Sequence, residues 1–250
     1  MKIIAFIAVY NEEGLIEESI ENAREQGLDV IVIDNGCTDG TIGIVKKLGV
    51  PTCEYKTDSH LMTRINERAI PIAKEIGCDW YVQKDADEMF ETYDGRKVVE
   101  VVNDADILGY NCMRFDLYEF WPTVDDDLSI ANFTERIQYY SYFGNNHLKM
   151  IKNSPEIWTN NSHRPEGTIK ESPLIELIIR HYKFIGLEQG RKKVSTRLRR
   201  RVDIRGIGKQ YERFTDESKF YVLEKEVYQR LNKFDGTWIK EKVFDGWRGY

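Results

Sequence analysis

Residues 2–41 read KIIAFIAVYNEEGLIEESIENAREQGLDVIVIDNGCTDGT, and this stretch decides the fold. Lys2 to Tyr10 is a near-continuous apolar run, as expected of a parallel strand covered on both faces. Asn11-Glu12-Glu13-Gly14 ends it. Leu15, Ile16, Ile20 and Ala23 then recur at helical spacing up to Gly27, and Asp29 to Asp34 (DVIVID) predicts a second strand. The turn formers Asn35 to Gly40 lead into a short helix, Thr41 to Leu48, closed by Gly49. Val50 to Tyr55 predicts a third strand, Leu61 to Ile76 a helix bent near Pro71, and Asp79 to Gln83 a fourth strand. This alternation predicts an α/β fold with a doubly wound, mostly parallel sheet in α/β/α layers.

The pattern loosens afterwards. Arg96 to Val102 predicts a helix, Ala105 to Phe115 a strand, and Trp121 to Asp127 a loop. Arg136 to Tyr142 and His147 to Lys152 read as strands of antiparallel character. Asn153 to Glu171 is rich in Asn, Ser, Pro and Gly and reads as a long loop. Leu174 to Phe184 predicts a strand and Gln189 to Arg201 a basic helix. The expected division is a Rossmann-like half over 1–115, a second half of the same domain over 116–205, and a less regular C-terminal extension over 206–250.

Bulk properties narrow the function. In 250 residues, 41% hydrophobic and 31% charged, the composition is that of a soluble globular protein. A net charge of -6 argues against a general nucleic-acid binder. Cys37, Cys53, Cys78 and Cys112 lie far apart with no C-x-x-C pair, which fits reduced thiols in a cytoplasmic protein. The first residues read as a strand rather than a signal peptide. No run approaches the ~20 apolar residues of a spanning helix. Peripheral contact with the inner face of a membrane stays open, as does oligomeric state.

The fourth predicted strand runs into Asp85-Ala86-Asp87-Glu88. In open α/β sheets, ligands bind outside the carboxyl ends of the strands. Two like charges ~4 Å apart repel by roughly 1–4 kcal/mol at surface-like dielectrics. A hard divalent ion removes that cost and keeps coordination sites for substrate phosphates. The bland alternative is a solvated acidic turn. Three further segments belong to the same edge: Asn11-Glu12, Asp34-Asn35, and the segment before Arg64. Together they make a polar crevice suited to a nucleoside diphosphate.

The string AVYNEEGLIEESIENAREQGLDVIVIDNGCTDGT, followed by TRINERAI and CDWYVQKDADE, resembles the opening of glycosyltransferase family 2 with its GT-A fold. Thr38 stands where that family usually has Ser. The likeness covers about the first ninety residues. A patchier likeness to bacterial relatives sharing DADE extends through His163-Arg164 and His181-Tyr182 to Gln189-Gly190-Arg191-Lys192-Lys193. It implies a metal-dependent, inverting, hexosyltransferase-like enzyme. Such an enzyme moves a sugar from a UDP- or dTDP-type nucleotide-sugar donor to a glycan or lipid-linked acceptor, in cell-surface polysaccharide synthesis.

The resemblance also implies roles. Asn11 and Glu12 line the nucleoside pocket, Asp34 accepts from the base, and Asn35, Thr38 and Asp39 shape that loop. Arg64 approaches the diphosphate or base. Asp85 and Asp87 hold the nucleotide through Mg2+ or Mn2+, with His181 as a third metal ligand. Arg191 and Lys192 supply cations to the diphosphate. Alternatives stay open at several positions: Asp34 and Asp39 as caps of the helix from Gly40, Arg64 as a solvated residue, and His181 as a hydrogen-bonded core residue. The basic run could equally be a solvated helix face or a patch resting on anionic lipid. The acceptor proton needs a base, and Glu119 and Asp126 are chosen from Asp116, Glu119, Asp125, Asp126 and Asp127. Rival readings are a D-x-D phosphohydrolase or phosphotransferase, a nucleotidyltransferase and a non-catalytic nucleotide-sugar binder. Aspartyl phosphatases place their motif on the first strand, which here ends Tyr10-Asn11-Glu12. Nucleotidyltransferases need a Gly- and Lys-rich loop, which NEEGLIEE lacks.

Overall fold

The computed structural model describes residues 1–57, 63–159, 165–173, 176–199 and 221–243. The chain divides into two compact units. The first comprises Met1–Thr57, Leu61–Leu117 and Asn145–Arg180; the second comprises Asp58–His60, Tyr118–Gly144 and His181–Tyr250. The division is therefore not sequential, because residues 145–180 return to the first unit.

In the first unit β1 (Ile3–Val9), α1 (Ile16–Glu25), β2 (Asp29–Asp34), α2 (Thr41–Lys47), β3 (Thr52–Glu54), α3 (Thr63–Ile76) and β4 (Trp80–Asp85) alternate as the sequence predicts. β1 pairs in parallel with β2 and with β4, and β2 pairs in parallel with β3. All seven residues of β1 are buried, which is why that run carries no polar side chain. α1 turns Ile16, Ser19, Ile20 and Ala23 inward. Gly27 ends the turn after it at φ 80°, and a Cβ there would lie 2.4 Å from Val99 Cγ1. Only glycine satisfies both the left-handed backbone and the close approach of α4 (Val98–Ile107).

The remaining elements are β5 (Glu88–Thr92), β6 (Cys112–Trp121), α5 (Phe133–Arg136), β7 (Tyr139–Lys152), β8 (Ile157–Thr159), β9 (Pro165–Gly167), β10 (Leu177–His181), α6 (Leu187–Arg199), α7 (Lys225–Tyr228) and β11 (Asn232–Lys233). The main sheet has the order β3-β2-β1-β4-β7-β6-β10-β5, with β11 paired to β7. β7 runs antiparallel to β4, matching Trp80 with Lys152 and Val82 with Met150. A core of Ile4, Phe6, Ile31, Ile33, Ala69, Ala73, Tyr81 and Ile151 packs in the first unit. The second unit has its own core of Trp121, Phe184, Val194, Tyr221, Leu223 and Leu231. There Gly190 lets Tyr221 close in, since a Cβ would stand 2.5 Å from the ring.

Three expectations fail. Arg136–Tyr142 and His147–Lys152 are not two strands: Arg136 ends α5, and β7 runs unbroken from Tyr139 to Lys152. Ala105–Phe115 is not one strand: Val98, Val101, Val102 and Ala105 are buried at helical spacing, so α4 continues to Ile107 and β6 begins at Cys112. Asn153–Glu171 is not all loop: β8 and β9 form an antiparallel hairpin, pairing Ile157 with Gly167. The basic helix is described over Leu187–Arg199, and His163, Arg164, Arg200 and Arg201 lie outside the described residues. No described helix is long and apolar enough to cross a membrane.

Candidate active site

Strand register aligns the carboxyl ends of β1 to β4. Val9 pairs with Asp34, Ala8 with Asp85 and Asp34 with Glu54. The loops leaving these ends are tied to one another. Asn11, at φ 58°, adopts the left-handed conformation that Asn tolerates better than most residues. Its Oδ1 accepts from Thr38 N at 2.8 Å and its Nδ2 donates to Thr38 Oγ1 at 3.2 Å. Glu12 N donates to Thr41 Oγ1 at 2.9 Å, and that hydroxyl donates to Asp39 Oδ1 at 2.5 Å. Glu13 Oε2 accepts from Gly40 N at 2.9 Å. On the other side Asn35 Oδ1 accepts from Thr57 N at 2.7 Å. Three loops thus form one hydrogen-bonded rim.

These contacts sort the predicted residues. Asn11 uses its amide to join two loops, and Asn35 joins the next pair. Asp39 fixes the start of α2 by accepting from Thr41 N at 3.0 Å, so for this residue the helix-end alternative holds. Asp34 Oδ1 closes a local turn by accepting from Gly36 N and Cys37 N at 2.9 and 2.8 Å. Burial pushes the Cys37 thiol up to about 12, so it stays protonated and inert. Arg64 stands in the first turn of α3; its side chain lies outside the described residues.

The acidic tetrad is a tight turn from β4 into β5. Asp85 is the last residue of β4 and Glu88 the first of β5. Glu88 Oε2 accepts from Asp85 N at 3.2 Å, which closes the turn. Asp87 is 6% exposed. Asp85 Oδ1 is buried and, among the described residues, accepts no hydrogen bond. A buried acceptor left unmet carries a desolvation cost of about 1–3 kcal/mol. Cations from elsewhere in the fold offset the turn's charge. Lys149 on β7 places Nζ 2.5 Å from Glu88 Oε1 and 3.7 Å from Asp85 Oδ2. Burial acts to lower the Lys149 pKa, but Glu88, Asp85 and Asp87 together hold it above the ordinary lysine value. Lys84 is fully buried and donates to Ser19 O and Oγ. Burial pushes it down to about 7, against the pull of Glu88, Asp87 and Asp85.

Among the described residues no group of three His, Cys, Asp or Glu side chains is arranged to hold a metal ion. Mg2+ needs fewer from the protein: one or two carboxylates complete a site together with substrate phosphates. Asp85 and Asp87 fit that demand, with an unmet acceptor on Asp85 already in place.

The other predicted residues belong to the second unit. His181 ends β10, and its Nδ1 lies 3.6 Å from Oε1 of Glu119 on β6. That separation is too long for a hydrogen bond and close enough for a carboxylate to bias an imidazole. Glu119 is a strand residue and 2% exposed. Asp126 has both oxygens engaged by Thr123: Oδ2 accepts from its N at 3.0 Å and Oδ1 from its Oγ1 at 2.7 Å. That geometry gives Asp126 a loop-closing part, with both oxygens already hydrogen-bonded, which disfavours it as a base. Arg191 and Lys192 are exposed on α6, whereas Lys193 is buried.

Sequence reasoning missed Lys84, Lys149 and the turn-closing part of Glu88. A signal existed: a lysine inside a buried run, as in WYVQKD and HLKMIK, demands a partner.

Residues 4–153 match the model of glycosyl transferase family 2. A 55-residue stretch is 34% identical to an uncharacterised protein of Methanocaldococcus jannaschii, over 22% of this chain and 23% of that one. The matched stretch is thus under a quarter of that relative's length. TarS of S. aureus, solved with UDP, is similar at a TM-score of 0.47 and 12% identity, over 88% of this chain and 72% of that one. Glucosyl-3-phosphoglycerate synthase of Mycobacterium tuberculosis, solved with Mn2+ and UDP, is similar at 0.37 and 18% identity, over 46% and 44%.

Proposed function

The chain belongs to glycosyl transferase family 2, and from that premise we propose that it is an inverting, metal-dependent enzyme taking a UDP- or dTDP-linked sugar. The observation that carries this reading is the buried, unmet Oδ1 of Asp85 on the same sheet edge as the knitted rim. Asp34 presents Oδ2 to a base N–H, as uracil or thymine offers. The rim formed by Asn11, Thr38, Asn35 and Thr57 gives the nucleoside a fixed wall without reorganising on binding. Asp85 and Asp87 hold Mg2+ or Mn2+, and the bound ion stabilises negative charge on the departing diphosphate. Glu119, with His181 beside it, is the remaining candidate for the acceptor proton, and His181 the candidate third ligand. Arg191 and Lys192 add exposed positive charge for the diphosphate. The acceptor is a glycan or a lipid-linked glycan of the cell surface, reached from the cytoplasmic side.

Thermal unfolding tests this. UDP or dTDP with Mn2+ at a hundredfold excess over Kd stabilises the fold by about 2.7 kcal/mol. For a chain of this size that raises Tm by roughly 5–10 °C. No shift with any nucleoside diphosphate sinks the donor assignment. An equal shift in EDTA sinks the metal.

A further inference from the structure

We propose that Lys149 is a positioning residue of the acidic turn: a resident counter-cation that keeps Asp85–Glu88 closed before a divalent ion arrives and that opposes the ion once it binds. The inference rests on the reading of Asp85 and Asp87 as metal-holding carboxylates. Lys149 comes from β7, 61 positions from Glu88 in sequence, and its side chain is fully buried. Its ammonium bonds Glu88 Oε1, and the other oxygen of Glu88 holds Asp85 N. One cation thus reaches through one carboxylate to the backbone of the first metal-holding residue. Without it, Asp85, Asp87 and Glu88 crowd three negative charges into four positions beside Lys84, which is already bonded to Ser19. With it, Asp85 Oδ2 faces an ammonium at 3.7 Å while Oδ1 stays without a partner. The turn therefore stands assembled with one oxygen available. Its net charge is reduced, so it holds a divalent ion less firmly than three bare acids would.

The roles give opposite signs in two single variants. Lys149→Met removes the opposing charge, and Glu88 then adds to the acids facing the ion. Charges within ~6 Å at an effective dielectric near 20 change binding by more than ~10-fold, so this variant binds Mn2+ at least tenfold tighter. Glu88→Gln releases the ammonium onto Asp85, and Mn2+ binding weakens at least ~10-fold on the same argument. The double variant restores the charge balance and keeps an acceptor for Asp85 N, so its Mn2+ affinity stays within about threefold of wild type. The probe is Mn2+ alone, titrated by calorimetry and by the electron paramagnetic resonance of free Mn2+, with circular dichroism to confirm folding.

Equal or weaker Mn2+ binding by folded Lys149→Met overturns the proposal, since a purely structural lysine makes both single variants lose affinity. If Lys149→Met does not fold, the other two variants decide: the double variant must fold and bind near wild type while Glu88→Gln must weaken, and failure of either overturns it. Wild type that binds no Mn2+ at millimolar concentration, even with UDP, strikes instead at the metal reading.

Discussion

Two acidic stretches of this chain, Asp85-Ala86-Asp87-Glu88 and Asp125-Asp126-Asp127, look alike in sequence and differ in what they bond. In the second, each carboxylate finds a neutral local or cross-loop donor: Asp125 accepts from Tyr228 Oη, Asp126 from Thr123, and Asp127 from Ser129 N at 2.9 Å and Oγ at 2.7 Å. In the first, Glu88 and Asp85 are set against buried Lys149, and one Asp85 oxygen accepts nothing. Carboxylates that accept from hydroxyls and backbone amides shape a loop. Carboxylates buried with cations and left one acceptor short are prepared for a ligand with charge.

The contrast breaks most visibly in turnover. Asp87→Asn lowers donor hydrolysis or transfer by about 10³-fold, as expected when a group placing the charge-stabilising ion is lost. Circular dichroism and Tm stay close to wild type. Unchanged turnover at saturating Mn2+ removes the distinction between the two stretches.

A smaller effect falls on the other side. Asp126→Ala strands Thr123 N and Oγ1 and costs about 1–2 kcal/mol in urea unfolding. Turnover stays within about twofold of wild type. A hundredfold loss in kcat with an intact fold restores Asp126 as the base.

The smallest effect separates neighbours by pH. Burial raises the Asp126 pKa, outweighing its bonds from Thr123. The folded state then binds more protons than the unfolded state above the ordinary carboxylate value of about 3.9, so this stability falls as pH rises through the raised pKa. Ser129 lowers the Asp127 pKa. Its stability is present above about 3.9 and is lost as pH falls through the lowered value. Urea midpoints measured from pH 3 to 7 show the cost of Asp126→Ala shrinking upward and that of Asp127→Ala shrinking downward. Parallel trends contradict the assigned hydrogen bonds.

The first four strands were legible because each is covered on both faces and punctuated by turn formers. Ala5, Phe6, Ile7, Val32 and Ile33 have no freedom to be polar there. The helix through Val98 to Val102 was expected, but its end was misplaced: Ala105 to Ile107 was read as the start of the strand that in fact begins at Cys112. Burial of Val98, Val101, Val102 and Ala105 against the sheet settled it in favour of α4. Asp85 and Asp87 stood out in the sequence as candidates by their position after an apolar run. The hydrogen bonds of Asp126 were not legible because its partner is Thr123, three residues away, and a Thr before three acids carries no distinctive signal.

By itself the sequence determined the alternation of β1 to β4 with their helices, the family, and the edge at which the polar loops gather. Those follow from short-range periodicity and turn chemistry, which act over a few residues. Only the tertiary structure decided which acid is left one bond short, which acids close a loop, and that a lysine from β7 lies beneath the turn. Electrostatic pairing acts through space, and residues 61 positions apart reveal it only once the sheet has brought their strands together.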